Sequence, residues 1–366
     1  MPVYAVLATI ARNLRIAVRR PDLIIQTVAV PVVVLGLASI IFGATDAWPI
    51  AVVDDDRSVA SERFKEALED TEGVSGDYFR VVTADRATAN DLVEQGRLQL
   101  VVRIPAGFAD EHTIEITTYN INTDAMKNVR LRVVDTSNIF DSITGNQQIS
   151  TVLRPVRPDS VSRTAFMGGS AVILALLLGA MLVAANLFAM EQEMRTTKEL
   201  VLTPLSPAVG AIGAAGAAIV LAPFTAVPTL VMAWLFGLRA DFANVGLAGT
   251  IVVPAMIAAA GAGVLVAQLL RTHRAIQPAV ILAALATYFA TGGFIPVPGL
   301  PPVARTFSAG WPPSYVFEWA NPLVHGFAST TTPTQQVSVW LAAAVGVGLA
   351  AWAAVRERRR PTASGQ

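Results

Sequence analysis

Two stretches of the sequence hold enough oxygen ligands to suggest a divalent cation. One is Asp54-Asp55-Asp56; the other is Asn120-x-Asn122-x-Asp124. Hard cations take carboxylate and amide oxygens at short spacing. The second stretch departs from a calcium loop, because Ala125 replaces the sixth-position glycine and Leu131 the closing glutamate. The first runs into Arg57-Ser58 and then Phe64, Ala67 and Leu68 at helical spacing, so it reads as a turn capping a helix. Histidine occurs only at 112, 273 and 325, too dispersed in sequence for a metal site. His112 reads as a surface residue. There is no cysteine, hence no disulfide, thiolate ligand or catalytic thiol. Neither G-x-S-x-G nor H-E-x-x-H occurs. Lys65, Lys127 and Lys198 follow Phe64, Met126 and Thr197, so no Gly-Lys pair exists to build a P-loop.

With no catalytic motif, function must lie in the elements. Charged residues make up 15% of the 366 and hydrophobic ones 53%. A soluble domain carries about 25% charge. The mean hydropathy is +0.53. These values exclude an ordinary soluble enzyme and a disordered chain. Lys plus Arg and Asp plus Glu both total 27, so the basic excess of a nucleic-acid binder is absent.

The charge is unevenly placed. Residues 45–163 hold 20 acids and 13 bases, whereas the rest holds 7 acids and 14 bases. The apolar runs are Leu23–Gly43, Ala165–Met190, Val209–Leu238, Val245–Leu270, Ala275–Ile295 and Val337–Val355. Each reaches the roughly 20 residues needed to span a bilayer. Pro223 and Pro228 predict a kink or break in the third. Bases gather at Arg12, Arg15, Arg19 and Arg20, at Arg195 and Lys198, at Arg271 and Arg274, and at Arg356, Arg358, Arg359 and Arg360. The short loops of the other side hold only Arg239 and Arg305. The positive-inside rule then puts both termini in the cytoplasm and residues 45–163 outside. The first span is long for a signal peptide and reads as a signal anchor.

The expected fold class is an α-helical polytopic membrane protein. It has six transmembrane helices and an α+β extracytoplasmic domain between helices 1 and 2. Its parts are residues 1–20, a cytoplasmic amphipathic interfacial helix; 21–44, the first span; 45–163, the external domain; and 164–366, the remaining spans. In the external domain, strands are predicted at Pro49–Val53, Tyr78–Thr83, Leu98–Ile104 and Thr113–Tyr119. Helices are predicted at Ser61–Thr71, at Asp85–Gln95 and from Asp124 to about Ser150.

This architecture resembles the permease subunits of ABC-2-type ABC exporters over nearly the whole chain. The most specific part is the stretch after span two, Glu191-Gln192-Glu193 through Thr197, Glu199-Leu200 and Thr203-Pro204. The family has an acidic pair, Gly-Thr, an acid, a Leu and a Thr/Ser-Pro ending there; Thr196 stands in place of the Gly. The resemblance makes residues 191–206 a coupling helix, with Glu191, Glu193, Thr197, Glu199, Leu200, Thr203 and Pro204 facing an ATP-binding subunit. Val52-Val53-Asp54-Asp55-Asp56 with Ser58 and Ser61, and Ile104-Pro105-Ala106-Gly107-Phe108, are similar to the drug-export branch. The Pro-rich stretch 294–335 is similar to a re-entrant region, and its prolines preclude one continuous helix.

Tyr4–Arg20 places Val6, Leu7, Ile10, Leu14 and Val18 at helical spacing among arginines, which suits a helix lying on the cytoplasmic leaflet. The basic tail 356–366 suits anionic lipid. The resemblance implies no cofactor in this chain, with ATP and magnesium on a separate ABC ATP-binding subunit. It also implies a second copy or a homologous permease, the bilayer as a partner, no nucleic acid, and a bacterial inner-membrane location. The span cores hold no Asp, Glu, Lys or Arg apart from Glu191 at an edge, which disfavours ion coupling and suits an amphipathic or hydrophobic substrate. Asn186, Gln26 and Gln277 near span ends read as structural hydrogen bonders. The alternative reading is a membrane-anchored sensor or envelope-assembly protein whose external domain binds a ligand or partner.

Overall fold

The computed structural model describes residues 3–40, 48–73, 76–119, 132–133, 135–141, 150–155, 161, 163–194, 205–206, 208–328 and 331–358. Helix α1 (Val3–Arg19) ends at the short 3-10 turn Pro21–Leu23, and α2 (Ile25–Ile40) follows. The long helices are α6 (Arg163–Glu193), α7 (Ala208–Leu235), α8 (Phe242–Leu270), α9 (His273–Ala290) and α12 (Pro333–Arg358). Among the described residues, four helices are long and apolar enough to cross a membrane: Thr164–Glu193, Ala208–Leu235, Ala243–Leu270 and Pro333–Arg356. The other two predicted spans are shorter apolar helices, Ile25–Leu37 and Arg274–Ala290. Pro21 opens the 3-10 turn ahead of the first. The fifth stops where Gly292 takes φ +99 and the Phe294 N–H turns back to Tyr288 O (3.0 Å). A left-handed φ favours glycine and cannot continue a helix. Helix α7 runs unbroken through Pro223 and Pro228, so of the expected kink or break the break is absent.

Helix α6 is the hub. The membrane-length part of it is 78% buried, against 33 to 56% for the other three long helices. Its backbone meets neighbours closely: a side chain at Gly179 would strike Thr225 and Ala222 of α7, and one at Gly263 of α8 would strike the Met181 backbone. Helices α8 and α12 touch backbone to backbone, because a Cβ at Gly261 would collide with the Gly346 carbonyl. Small residues permit such approach, and dispersion across it replaces the hydrophobic effect as the packing force.

The separate α+β unit has strands β1 (Trp48–Asp54), β2 (Phe79–Thr83), β3 (Leu100–Ile104), β4 (Thr113–Thr118) and β5 (Ser150–Pro155). Their order is β2-β1-β3-β4-β5, with only β3–β4 antiparallel. Helices α3 (Val59–Glu69) and α4 (Arg86–Glu94) make the crossovers between parallel strands, and the single turn α5 (Phe108–Glu111) precedes β4. Strand β1 is buried along nearly its whole length, as a central parallel strand should be. Phe64, Phe108 and Phe140 meet in the core with ring centroids 5.7 to 5.9 Å apart. His112 lies half-buried beside Phe108 and Phe140. The four predicted strands and the first two predicted helices are present within a few residues. Strand β5 was not predicted. Of the third predicted helix, residues 132–133 and 135–141 are helical; the remainder and the rejected calcium-like run lie outside the described residues or in β5.

The Pro-rich stretch forms the 3-10 turn Val297–Gly299, then α10 (Pro302–Gly310) and α11 (Pro312–Val324). Proline is tolerated at a helix start, and both helices begin with it. The α+β unit seats on this stretch. Trp48 reaches Gly299, and the Tyr119 and Phe327 rings meet at a tilt with centroids 4.6 Å apart.

Replacing Gly261 by Leu should force α8 off α12 and cost about 1–3 kcal/mol by overpacking. Thermal unfolding of the purified chain should show a lowered midpoint, whereas Gly249→Leu, where a Cβ meets open space, should leave it unchanged.

Candidate functional site

One end of the bundle gathers the polar groups that the spans exclude. Glu191 on α6 is 4% exposed and ion-paired with Arg12 of α1. Arg12 Nη2 also donates to Asn13 Oδ1 (3.2 Å), and Asn13 is itself buried. Desolvation lowers the Arg12 guanidinium below its ordinary value. It stays charged at any working pH. Beside the pair, Gln192 Nε2 donates to Gln268 Oε1 near the end of α8 (2.5 Å). Asn186 Nδ2 donates to Leu23 O (3.1 Å), and Gln26 Nε2 to Gln277 Oε1 of α9 (3.1 Å). These contacts put the ends of α2, α6, α8 and α9 together and give the three span-end amides a structural role.

Helix α1 docks here by its small face. Ala5, Asn13 and Ala17 are buried, and Thr9 and Ile10 lie against Gly213 and Gly216 of α7. Val3, Tyr4, Leu7 and Val18 stay exposed. The apolar residues that sequence periodicity singled out are therefore divided. Leu7 and Val18 remain uncovered by protein, while Ile10 and Leu14 pack partly against the core.

Of the seven predicted coupling residues, the structure describes two. Glu191 is buried in its ion pair; Glu193 is exposed at the helix end. Thr197, Glu199, Leu200, Thr203 and Pro204 lie outside the described residues. Glu191 thus holds α1 to α6 rather than presenting a free carboxylate. Sequence reading missed Arg12 as its partner, and a lone acid at a span edge is the signal that a cation must be near.

In the α+β unit, the two motifs singled out in the sequence form one hydrogen-bonded unit. Asp54 and Ile104 are register partners in adjacent parallel strands, and the Asp55 N–H donates to Ile104 O (2.9 Å). Arg103 bridges Asp55 (2.6 Å) and Glu115 (3.2 Å). Asp56 Oδ1 accepts from Gly107 N (2.7 Å). Asp54 accepts from the Asp56 and Arg57 N–H groups and from Ser61, and pairs with Lys65. Ser58 caps α3 by accepting from Ser61 N (3.1 Å). Each acid is engaged in a turn, cap or ion pair. Among the described residues no group of acids and histidines could hold a metal ion.

The bundle, the docked amphipathic helix and the inserted α+β unit are the arrangement of a membrane component. A family model described as "ABC-2 family transporter protein" matches residues 21–355. The chain belongs to the ABC-2 transporter family. ABC-2 permeases are membrane components that work with an ATP-binding subunit. No curated protein and no solved structure matches this permease.

Two outcomes test this geometry. Arg12→Glu leaves a buried carboxylate uncompensated, at a cost of up to about 3 kcal/mol given the half-open arginine. Adding Glu191→Arg should restore most of the lost thermal stability of the permease, which a double-mutant cycle reads directly. For the acidic unit, hydrogen bonds from Ser58 and from the Gly107, Phe108 and Ala109 N–H groups hold Asp56 below the usual carboxylate range, outweighing desolvation. A lowered folded value adds stability that is complete above the unfolded value, about 3.9, and is lost as pH falls through the folded one. The protection factors of amides over residues 54–61 and 104–108 should therefore fall below about pH 4. Asp56→Asn should lower them already at neutral pH.

Proposed function

We propose that this chain is the permease half of an ATP-driven exporter. It moves an amphipathic or hydrophobic molecule, such as a drug, lipid or natural product, out of the cytoplasm or inner leaflet. The single observation that carries this reading is the family match over residues 21–355. The six apolar helices are its spans, two of them short, in a bacterial inner membrane. Both termini face the cytoplasm, residues 45–163 face outside, and 294–335 re-enters the outer leaflet. The basic bundle end and the exposed apolar residues of α1 support this orientation, since cationic, amphipathic segments favour the anionic cytoplasmic leaflet.

ATP and magnesium bind a separate subunit, because no Gly-Lys pair is available here. Two permease copies, or this chain and a homologue, complete the transporter. Residues 191–206 receive the ATP-binding subunit's closing movement. Glu191 and Arg12 then pass it to α6 and α1 together. Glu193, Thr197, Glu199, Leu200, Thr203 and Pro204 form the contact face. An ionic contact across such a face gives partner choice and register.

Glu199→Arg should abolish substrate stimulation of the partner's ATPase while the permease keeps its thermal midpoint. Full stimulation in that variant contradicts the assignment of residues 191–206.

A further inference from the structure

Two cavities lie on either side of α11. The first, of about 320 Å³, sits inside the bundle. Its walls are Leu174–Met181 of α6, small residues of α8 such as Ala258 and Ala259, and Ala284 of α9. It contains almost no polar surface, and Trp311, Tyr315 and Trp319 line its α11 side. The second, of about 380 Å³, lies between α11 and the α+β unit and is about half polar. Arg97 and Gln99 line it from the α+β unit, and Glu318 from α11. Tyr315 and Trp319 border both cavities, with ring centroids 5.1 Å apart.

Arg97 and Glu318 are both exposed at the polar cavity, and no ion pair joins them among the described residues. The site thus presents one cation and one anion next to an aromatic collar. Aromatic residues with one apolar and one polar edge suit the boundary between an alkyl chain and a head group.

We propose that the two cavities form one site for a single amphiphile, its alkyl chain between α6, α8 and α9 and its zwitterionic head between Arg97 and Glu318. The inference rests on the amphipathic-substrate reading above and names where in this chain that molecule sits. Volume and lining fit one alkyl chain: pockets of roughly 300 Å³ and upward hold small ligands, and an uncharged wall imposes no desolvation cost on a hydrocarbon. The head supplies an anion for Arg97 and a cation for Glu318. The site lies within one protomer and joins the external unit to the bundle.

The test uses the full chain in phosphatidylglycerol nanodiscs and reads tryptophan quenching by a single-chain phosphocholine brominated on its tail. Controls carry the same tail with an uncharged, a sulfate or a trimethylammonium head. The expected result is saturable quenching by the phosphocholine probe about tenfold tighter than by the uncharged one. Trp311→Phe together with Trp319→Phe should remove the saturable component, and Ala259→Phe should block it by filling the apolar cavity. Arg97→Gln and Glu318→Gln should each bring the phosphocholine probe to the uncharged probe's affinity. Equal affinity for all four heads, or saturable quenching untouched by Glu318→Gln, overturns the proposal. Should Ala259→Phe not fold, the two exposed head-site variants decide alone. Binding needs no ATP-binding subunit, so its absence leaves the exporter reading standing, and a failure of ATP-driven export leaves the binding result standing.

Discussion

A bilayer offers no hydrogen-bond partner, so each polar group among the apolar helices must find one inside the protein. The rest of the structure depends on that constraint. Hydroxyls turn back onto their own helices, as Thr225 does to Ala222 O and Thr287 to Ala283 O. Amides reach other helices, as Asn321 does to Ser170 (2.8 Å) and to Phe166 O (3.2 Å). The buried carboxylate at a span edge, Glu191, meets Arg12. These few bonds fix which helix ends lie together, and glycine contacts then set how closely the helices approach.

Helix α6 connects the consequences. Its last turns carry Glu191 and Gln192, bound to α1 and α8. Its middle walls the apolar cavity. Its first turns hold α11 through Ser170 and accept the Tyr288 hydroxyl at Met167 O (3.2 Å). One element therefore touches the basic end, the interior and the outer helices. In the exporter reading, a push at residues 191–206 reaches the cavity and the external unit along a single, mostly buried helix.

Much of this was legible in the sequence, for physical reasons. Runs of apolar residues name the four helices long enough to span and two shorter apolar ones, because nothing else survives in hydrocarbon. Alternation and turn chemistry name the strands and helices of the inserted unit, whose caps at Ser58 and Asp85 stand where the side chains predict them. Helix ends were less legible, since Pro21 and Gly292 act through backbone geometry that hydropathy does not register. Strand order was not legible, because β5 joins the sheet beside β4 from well along the chain. Partners were hidden by distance in sequence: 251 positions separate Gln26 from Gln277, and 163 separate Asn186 from Leu23. The coupling stretch was read from its motif, while the burial of Glu191 needed the fold. Neither cavity was foreseen, because each is lined by several non-adjacent elements.

The central claim is that this chain is the path and another chain supplies the energy. The direct measurement is uptake of a labelled zwitterionic amphiphile into inverted vesicles holding this permease and its ATP-binding subunit. The account predicts accumulation that requires ATP, magnesium and both chains, and that stops when the partner's hydrolytic glutamate is removed. Equal accumulation with the permease alone, or none with the active complex present, would contradict it.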